Sequence, residues 1–207
     1  ENGKIKRSGF NSGALVIPQD YTATLYLDDN GTVTKLDEPV NFEVKSIREG
    51  VLKGISHQDY DTFRKLLSSL VKELDVLEDV LERSEMKLAA LKAALNNSNI
   101  APGKHSREIQ VLQQEVLAIM KSVEGNPSKS EIGERNPPGV QTHLRVAYRG
   151  MGSTYGPTPL HKKSMILAQK MSKELGERIR NLSENKIKAL EQKLKNLGVP
   201  YIQGQGL

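Results

Sequence analysis

The sequence predicts a mainly α-helical protein in which long amphipathic helices pack as an elongated antiparallel three-helix bundle, with a further short helix, behind a small antiparallel β module. Three observations carry that expectation. A leucine-rich 4-3-4-3 seam runs from Phe63 to Leu95, a second and third apolar stripe follow it, and alternating β-formers around an Asn-Gly pair precede it.

Composition agrees. Of 207 residues, 37% are hydrophobic and 27% charged, within the range of a foldable globular chain, but only 4% are aromatic. A core built from Leu, Ile, Val, Met and Ala suits helix-on-helix packing better than a sandwich of sheets. The absence of Cys excludes disulfides and thiolate metal sites, and fits either a reducing compartment or a secreted bacterial protein that never relied on disulfides. No apolar run approaches the ~20 residues that span a bilayer. The start, Glu1-Asn2-Gly3-Lys4, has neither an initiator Met nor the apolar core of a signal peptide, so the expectation is a start inside a longer polypeptide.

The first 47 residues read as the β module. Tyr21 to Leu27 is rich in β-formers, with Tyr21, Ala23, Leu25 and Leu27 expected on one face. Asn30-Gly31 is a hairpin signal because both residues tolerate positive φ. Thr32 to Leu36 returns, and Val40 to Val44 alternates again, giving three or four strands, too few for a closed sandwich.

Residues 48–207 are expected to form the bundle. The first helix spans Ser56 to Asn97, opened by Ser56 with Asp59 in a capping-box pattern and closed by Asn96-Asn97-Ser98-Asn99 and Pro102-Gly103. Its seam is broken only at Ser84. A second helix, from near Ser106, carries Ile109, Leu112, Val116, Ile119 and Val123 and stops at Gly125-Asn126-Pro127. The short connection folds it back antiparallel on the first. Residues 125–159 read as an irregular loop with a short helix at about Gln141 to Tyr148. Thr158-Pro159 is an N-cap and N1 pair for the last helix, whose expected stripe is Leu167, Met171, Leu175, Ile179, Leu182, Leu190, Leu194 and Leu197. Gly198 and Pro200 end it.

The net charge of +5 is unevenly held. Six Lys/Arg face eight Asp/Glu between Ser56 and Asn97, whereas ten face four between Leu160 and Leu197. Compensation between neighbouring helices is the simplest reading. With no aromatic residue among the last basic segment, nucleic acid is a poor partner.

The catalytic inventory is thin. His57, His105, His143 and His161 show no i, i+3 or i, i+4 pairing for a helical metal site. Gly150 to Gly156 has a phosphate-loop composition without the Gly-Lys-Ser/Thr ending or a preceding strand. The acids Glu73, Asp75, Glu78, Asp79, Glu82 and Glu85 avoid the leucine seam and read as a solvated or paired face. No catalytic, cofactor-binding or metal-binding residue is therefore assigned, and no cofactor is expected. One segment is longer than a connection requires: the loop around Arg149, Ser153, Thr154 and Tyr155 either packs over the bundle end or offers an interaction surface.

The order of segments resembles a known family. Leu15-Val16-Ile17-Pro18-Gln19-Asp20-Tyr21-Thr22-Ala23-Thr24-Leu25 through Pro39-Val40-Asn41-Phe42-Glu43-Val44 is similar to the Ig-like module of secreted bacterial sortilin-like proteins. Those proteins carry BNR/Asp-box repeats in a Vps10-type β-propeller and are often labelled glycosyl hydrolases. Asn136-Pro137-Pro138, Leu144-Arg145-Val146, Ser153-Thr154-Tyr155-Gly156-Pro157-Thr158 and Leu197-Gly198-Val199-Pro200-Tyr201 match the tail of the family by pattern. Gln19-Asp20 departs, since the family favours Gly there.

The resemblance implies a partial Ig-like β module and a helical region at the C-terminal end of a secreted or cell-surface propeller protein. It implies that any glycan-processing or ligand-binding activity belongs to the propeller, whose Asp-box motif is absent here. The partner would be that propeller or another protein. Two alternatives accompany this expectation: a stand-alone adaptor dimerising through the Phe63–Leu95 seam, and part of a glycosidase whose catalytic residues lie outside the chain.

Overall fold

The structure, a computed structural model, describes residues 16–47, 54–153 and 155–200. It is mainly helical with a small antiparallel β module.

The β module is one bent hairpin. Its strands are β1 (Gln19–Ala23), β2 (Tyr26–Asp29), β3 (Thr32–Lys35) and β4 (Val40–Val44). β2 pairs with β3 from Tyr26↔Lys35 to Asp29↔Thr32, across a turn in which Asn30 (φ 52°) and Gly31 (φ 89°) adopt the left-handed backbone that Asn-Gly favours. β1 pairs with β4 from Gln19↔Val44 to Ala23↔Val40. The expected single strand from Tyr21 to Leu27 is thus interrupted. Between the two ladders, residues 24–25 face 36–39, and this mismatch bends the ribbon, with the Leu36 N–H donating to the Leu25 carbonyl at 3.0 Å. Leu25 thus lies in the break and Leu27 in the second ladder, opposite Thr34, apart from the ladder that holds Tyr21 and Ala23.

The helices are α1 (His57–Asn96), α2 (Gly103–Glu124), α3 (Pro127–Glu131), α4 (Val140–Arg149), α5 (Pro159–Arg180) and α6 (Lys188–Asn196). Ser56 caps α1 through its hydroxyl, which accepts from the Asp59 N–H at 3.0 Å. Ser98 closes it, donating to the Leu95 carbonyl at 2.7 Å. α2 begins at Gly103, three residues before the expected start, with the Ser106 N–H bonded to the Pro102 carbonyl. α3 is a single turn inside what reads as irregular sequence, followed by the Asn136 amide, which clips both the N–H (3.0 Å) and the carbonyl (2.9 Å) of Asn126.

One continuous core joins Phe63, Leu67, Leu70, Leu74, Leu81, Leu88, Leu91 and Leu95 of α1 to all five predicted α2 residues, to Val140, Leu144 and Ala147 of α4, and to the last helix. Ser84, the break in the seam, is itself buried and bonds its hydroxyl to the Val80 carbonyl at 2.8 Å, a local solution that lets a polar side chain sit in an apolar row.

The last helix departs from its expected stripe. A π-helical turn, Asn181–Ile187, joins α5 to α6. Buried Leu182 and Ile187 stand five residues apart, the spacing a widened turn allows. Upstream of it the buried positions are Ser164, Ala168, Ser172, Leu175, Gly176 and Ile179, so Leu167 (37% exposed) points outward. Leu197 is exposed as well. The small residues Ser164, Ala168, Ser172 and Gly176 recur every fourth position on the buried side of α5, where Gly176 lies against Leu77 of α1, and the most extensive contact of α5 is with α4.

Charge compensation runs through α2. Lys186 reaches Glu115 and Lys193 reaches Glu108, at 2.8 and 2.7 Å, while the link from α1 to the last helix has the opposite sense, Lys87 to Glu191 at 2.6 Å.

Candidate functional site

The loop singled out in the sequence follows α4 as a short 3-10 turn, Gly150–Gly152, and it is built into the end of the bundle. The Tyr60 hydroxyl, near the start of α1, donates to the Met151 carbonyl at 2.9 Å. Burial pushes the Tyr60 phenol above its ordinary value, against the lowering effect of nearby Arg64, so the hydroxyl stays a donor at neutral pH. The Ile55 N–H, just before the Ser56 cap, donates to the Tyr155 carbonyl at 3.1 Å, and the Gly156 N–H to the Ser153 carbonyl at 3.0 Å.

Two glycines are required by this geometry. Gly156 has φ of +83°, and a Cβ there would collide with the Ile55 side chain. A Cβ on Gly150 would lie 2.8 Å from Nδ1 of His161, so the end of α4 rests directly on the first turn of α5. His161 in turn accepts the Thr158 N–H on Nδ1 at 3.1 Å, which makes it a helix-capping residue. Gly152 has open space around it.

Of the predicted loop residues, Arg149 is the last residue of α4 and is exposed, Ser153 is half-buried, and Tyr155 turns a 47% exposed side chain outward while its carbonyl holds Ile55. Thr154 lies outside the described residues. The backbone of the loop is therefore a clasp, and among its described side chains those of Arg149 and Tyr155 are exposed. The glycine count foretold a constrained loop, but the partner that constrains it, the Gly54-Ile55 segment, left no sequence signal.

The histidines stay apart. His57 opens α1 in solvent, His143 is half-buried on α4, and His105 approaches Glu108 at 3.4 Å. The Lys193 ammonium beside it holds Glu108 below the usual carboxylate range. Among the described residues no three His, Asp or Glu gather as a metal site, and no helix is long and apolar enough to cross a membrane. On the acidic face of α1, burial raises the Asp75 carboxyl and Asp79 adds to the effect, while Glu78 accepts the Gln141 amide at 2.8 Å and ties α4 to α1. A groove of about 400 Å³ between the ends of α1 and α6 has an apolar floor of Leu91, Ala94, Leu194 and Val199, spanned by the Lys87–Glu191 pair.

The second candidate surface was not singled out in the sequence. In the β1–β4 ladder, Gln19, Tyr21 and Ala23 lie opposite Val44, Phe42 and Val40, so one face is largely apolar, and the other holds Asp20, Thr22, Asn41 and Glu43. Tyr21 and Phe42 stack at 5.9 Å, yet Phe42 is 49% and Val40 64% exposed. No residue from 16 to 47 is buried. A period-2 pattern reveals such a face but not whether anything covers it. No family model, curated protein or solved structure matches this chain.

Proposed function

We propose that this chain is a non-catalytic accessory region that docks on another folded domain through the apolar face of β1 and β4. The observation that carries the reading is the apolar face of Tyr21, Ala23, Val40, Phe42 and Val44, in which Ala23, Val40 and Phe42 are exposed and Tyr21 and Val44 half-buried. A two-stranded ribbon is at best marginally stable in water, so a sequence that keeps an apolar face on one gains most from a partner that covers it. The covering domain named by the sortilin-like resemblance is the β-propeller of a secreted or cell-surface bacterial protein. Under that reading glycan processing or ligand capture belongs to the propeller, and this region supports it.

The Phe63–Leu95 seam offers less as a dimer interface. Its residues are already packed against α2, α4 and α5, and a dimer through them would require the bundle to open.

The test is hydrogen exchange on this chain alone and on the polypeptide extended upstream through its next folded domain. Amides of β1 and β4 should exchange at least tenfold more slowly in the extended polypeptide. Equal exchange in both would remove the docking reading, and turnover of a glycoside by the chain alone would remove its non-catalytic part.

A further inference from the structure

Between Glu134 and Glu174 the chain has no Asp or Glu, yet it carries Arg135, Arg145, Arg149, Lys162, Lys163, Lys170 and Lys173. This stretch includes all of α4, the clasp and two-thirds of α5. Neighbours on a helix face are three or four residues apart. Lys162, Ile166, Lys170 and Lys173 therefore form one row along α5, and Leu160, Lys163, Leu167 and Lys170 form the next.

Both rows are exposed, opposite the buried Ser164, Ala168, Ser172 and Leu175. Leu160 and Ile166 are 64% and 61% exposed. Arg149 and Tyr155, exposed in the clasp that precedes α5, add a further cation and ring at that end of the bundle. Lys170 comes no closer than 4.0 Å to Glu174, and Arg149, Lys162, Lys163 and Lys173 have no ion pair among the described residues.

We propose that this face of α5 is a docking surface for an anionic lipid bilayer. The lysines would meet the headgroups while Leu160, Ile166 and Leu167 enter the boundary with the acyl chains. Three features favour a bilayer over other anionic partners. The outer face of a helix is convex, without a groove, and suits a planar partner. Four of the cations are lysines, compact point charges that answer a diffuse negative potential, whereas arginine forks serve fixed bidentate contacts. The aliphatic side chains between them gain only where water is removed, which lipid offers and a phosphodiester backbone does not. This surface is separate from the sheet face on which the accessory reading rests, so either can fail alone.

The full chain should co-sediment with phosphatidylcholine vesicles that contain phosphatidylglycerol, and at least tenfold more weakly with phosphatidylcholine alone. At about fivefold per lysine, the double variant Lys162→Gln/Lys163→Gln should bind roughly 25-fold more weakly. The control pair Lys104→Gln/Lys121→Gln, on α2, should stay within a few-fold of the parent. The uncharged change Leu160→Ser/Ile166→Ser should weaken binding about tenfold with the helical melt unchanged. The proposal falls if the anionic vesicles do not bind or if the α2 control weakens binding as much. It also falls if the serine variant binds like the parent, or if single-stranded RNA or polyglutamate binds more tightly than the vesicles.

Discussion

The bundle and the ribbon are folded by different means. Every member of the continuous core lies between Phe63 and Val199, and Leu88, Leu95, Ile109, Ile119 and Leu182 have no exposed surface at all. The ribbon has two ladders, one Asn-Gly turn, one aromatic pair and no buried residue. The bundle can thus hold its shape from its own side chains. The ribbon draws on local backbone bonding and leaves Val40 and Phe42 of its apolar face exposed.

The largest effect expected from that contrast comes from paired truncations. Leu95→Ala, at a fully buried position, should lower the stability of the helical transition by about 3 kcal/mol, measured by far-ultraviolet circular dichroism in denaturant. Phe42→Ala should leave the same transition within about 0.5 kcal/mol, because its ring borders no part of the bundle core. Comparable losses from the two variants would mean that ribbon and bundle share a core, and the contrast would collapse.

Legibility followed the same division. The α1 seam was readable because Phe63 to Leu95 repeats on a helical period with large side chains, and its caps were readable because Ser56 and Asn97-Ser98 are polar residues at the required positions. The last helix was readable in extent but not in phase. The buried face of α5 includes Ser164, Ala168, Ser172 and Gly176, small residues whose burial carries no hydrophobic signal. Counting leucines therefore placed Leu167 inside, and the extra residue of the π turn hid Ile187. The clasp was half-readable: Gly150 and Gly156 announced constraint, while the hydrogen bonds from Ile55 and Tyr60 depend on tertiary placement.

The same small-residue face supplies the next test. Ser172 is fully buried, and its hydroxyl has no hydrogen-bond partner. An unsatisfied buried hydroxyl costs about 1–3 kcal/mol, and alanine would keep a small side chain there while raising helix propensity. Ser172→Ala should therefore stabilise the bundle by about 1 kcal/mol, seen as a higher midpoint in denaturant. A loss of stability would instead show that the hydroxyl bonds back to its own helix and that the packing around Ser172 depends on that bond.

The smallest expected effect concerns the ion pairs, which both regions possess. Glu108 bonds both carboxylate oxygens to Lys193 across the α2–α6 interface, whereas Glu43 meets Lys45 within the exposed ribbon. The Lys193 contact lowers the folded-state pKa of Glu108. A carboxylate with a depressed folded pKa adds stability that is present above its unfolded value, about 4.3, and is lost as pH falls through the folded one. Both side chains of the pair remain about a third exposed or more, so solvent screening keeps the contribution near 0.5 kcal/mol. Glu108→Gln should then cost that amount at neutral pH and nothing once the carboxylate is protonated, in the same denaturant melts repeated at neutral and acid pH. Glu43→Gln should change neither melt, since the ribbon's surface pair supports no packed interface. A pH-independent cost for Glu108→Gln would assign its effect to packing at the α2–α6 contact, and the bundle would then depend on shape there rather than on charge.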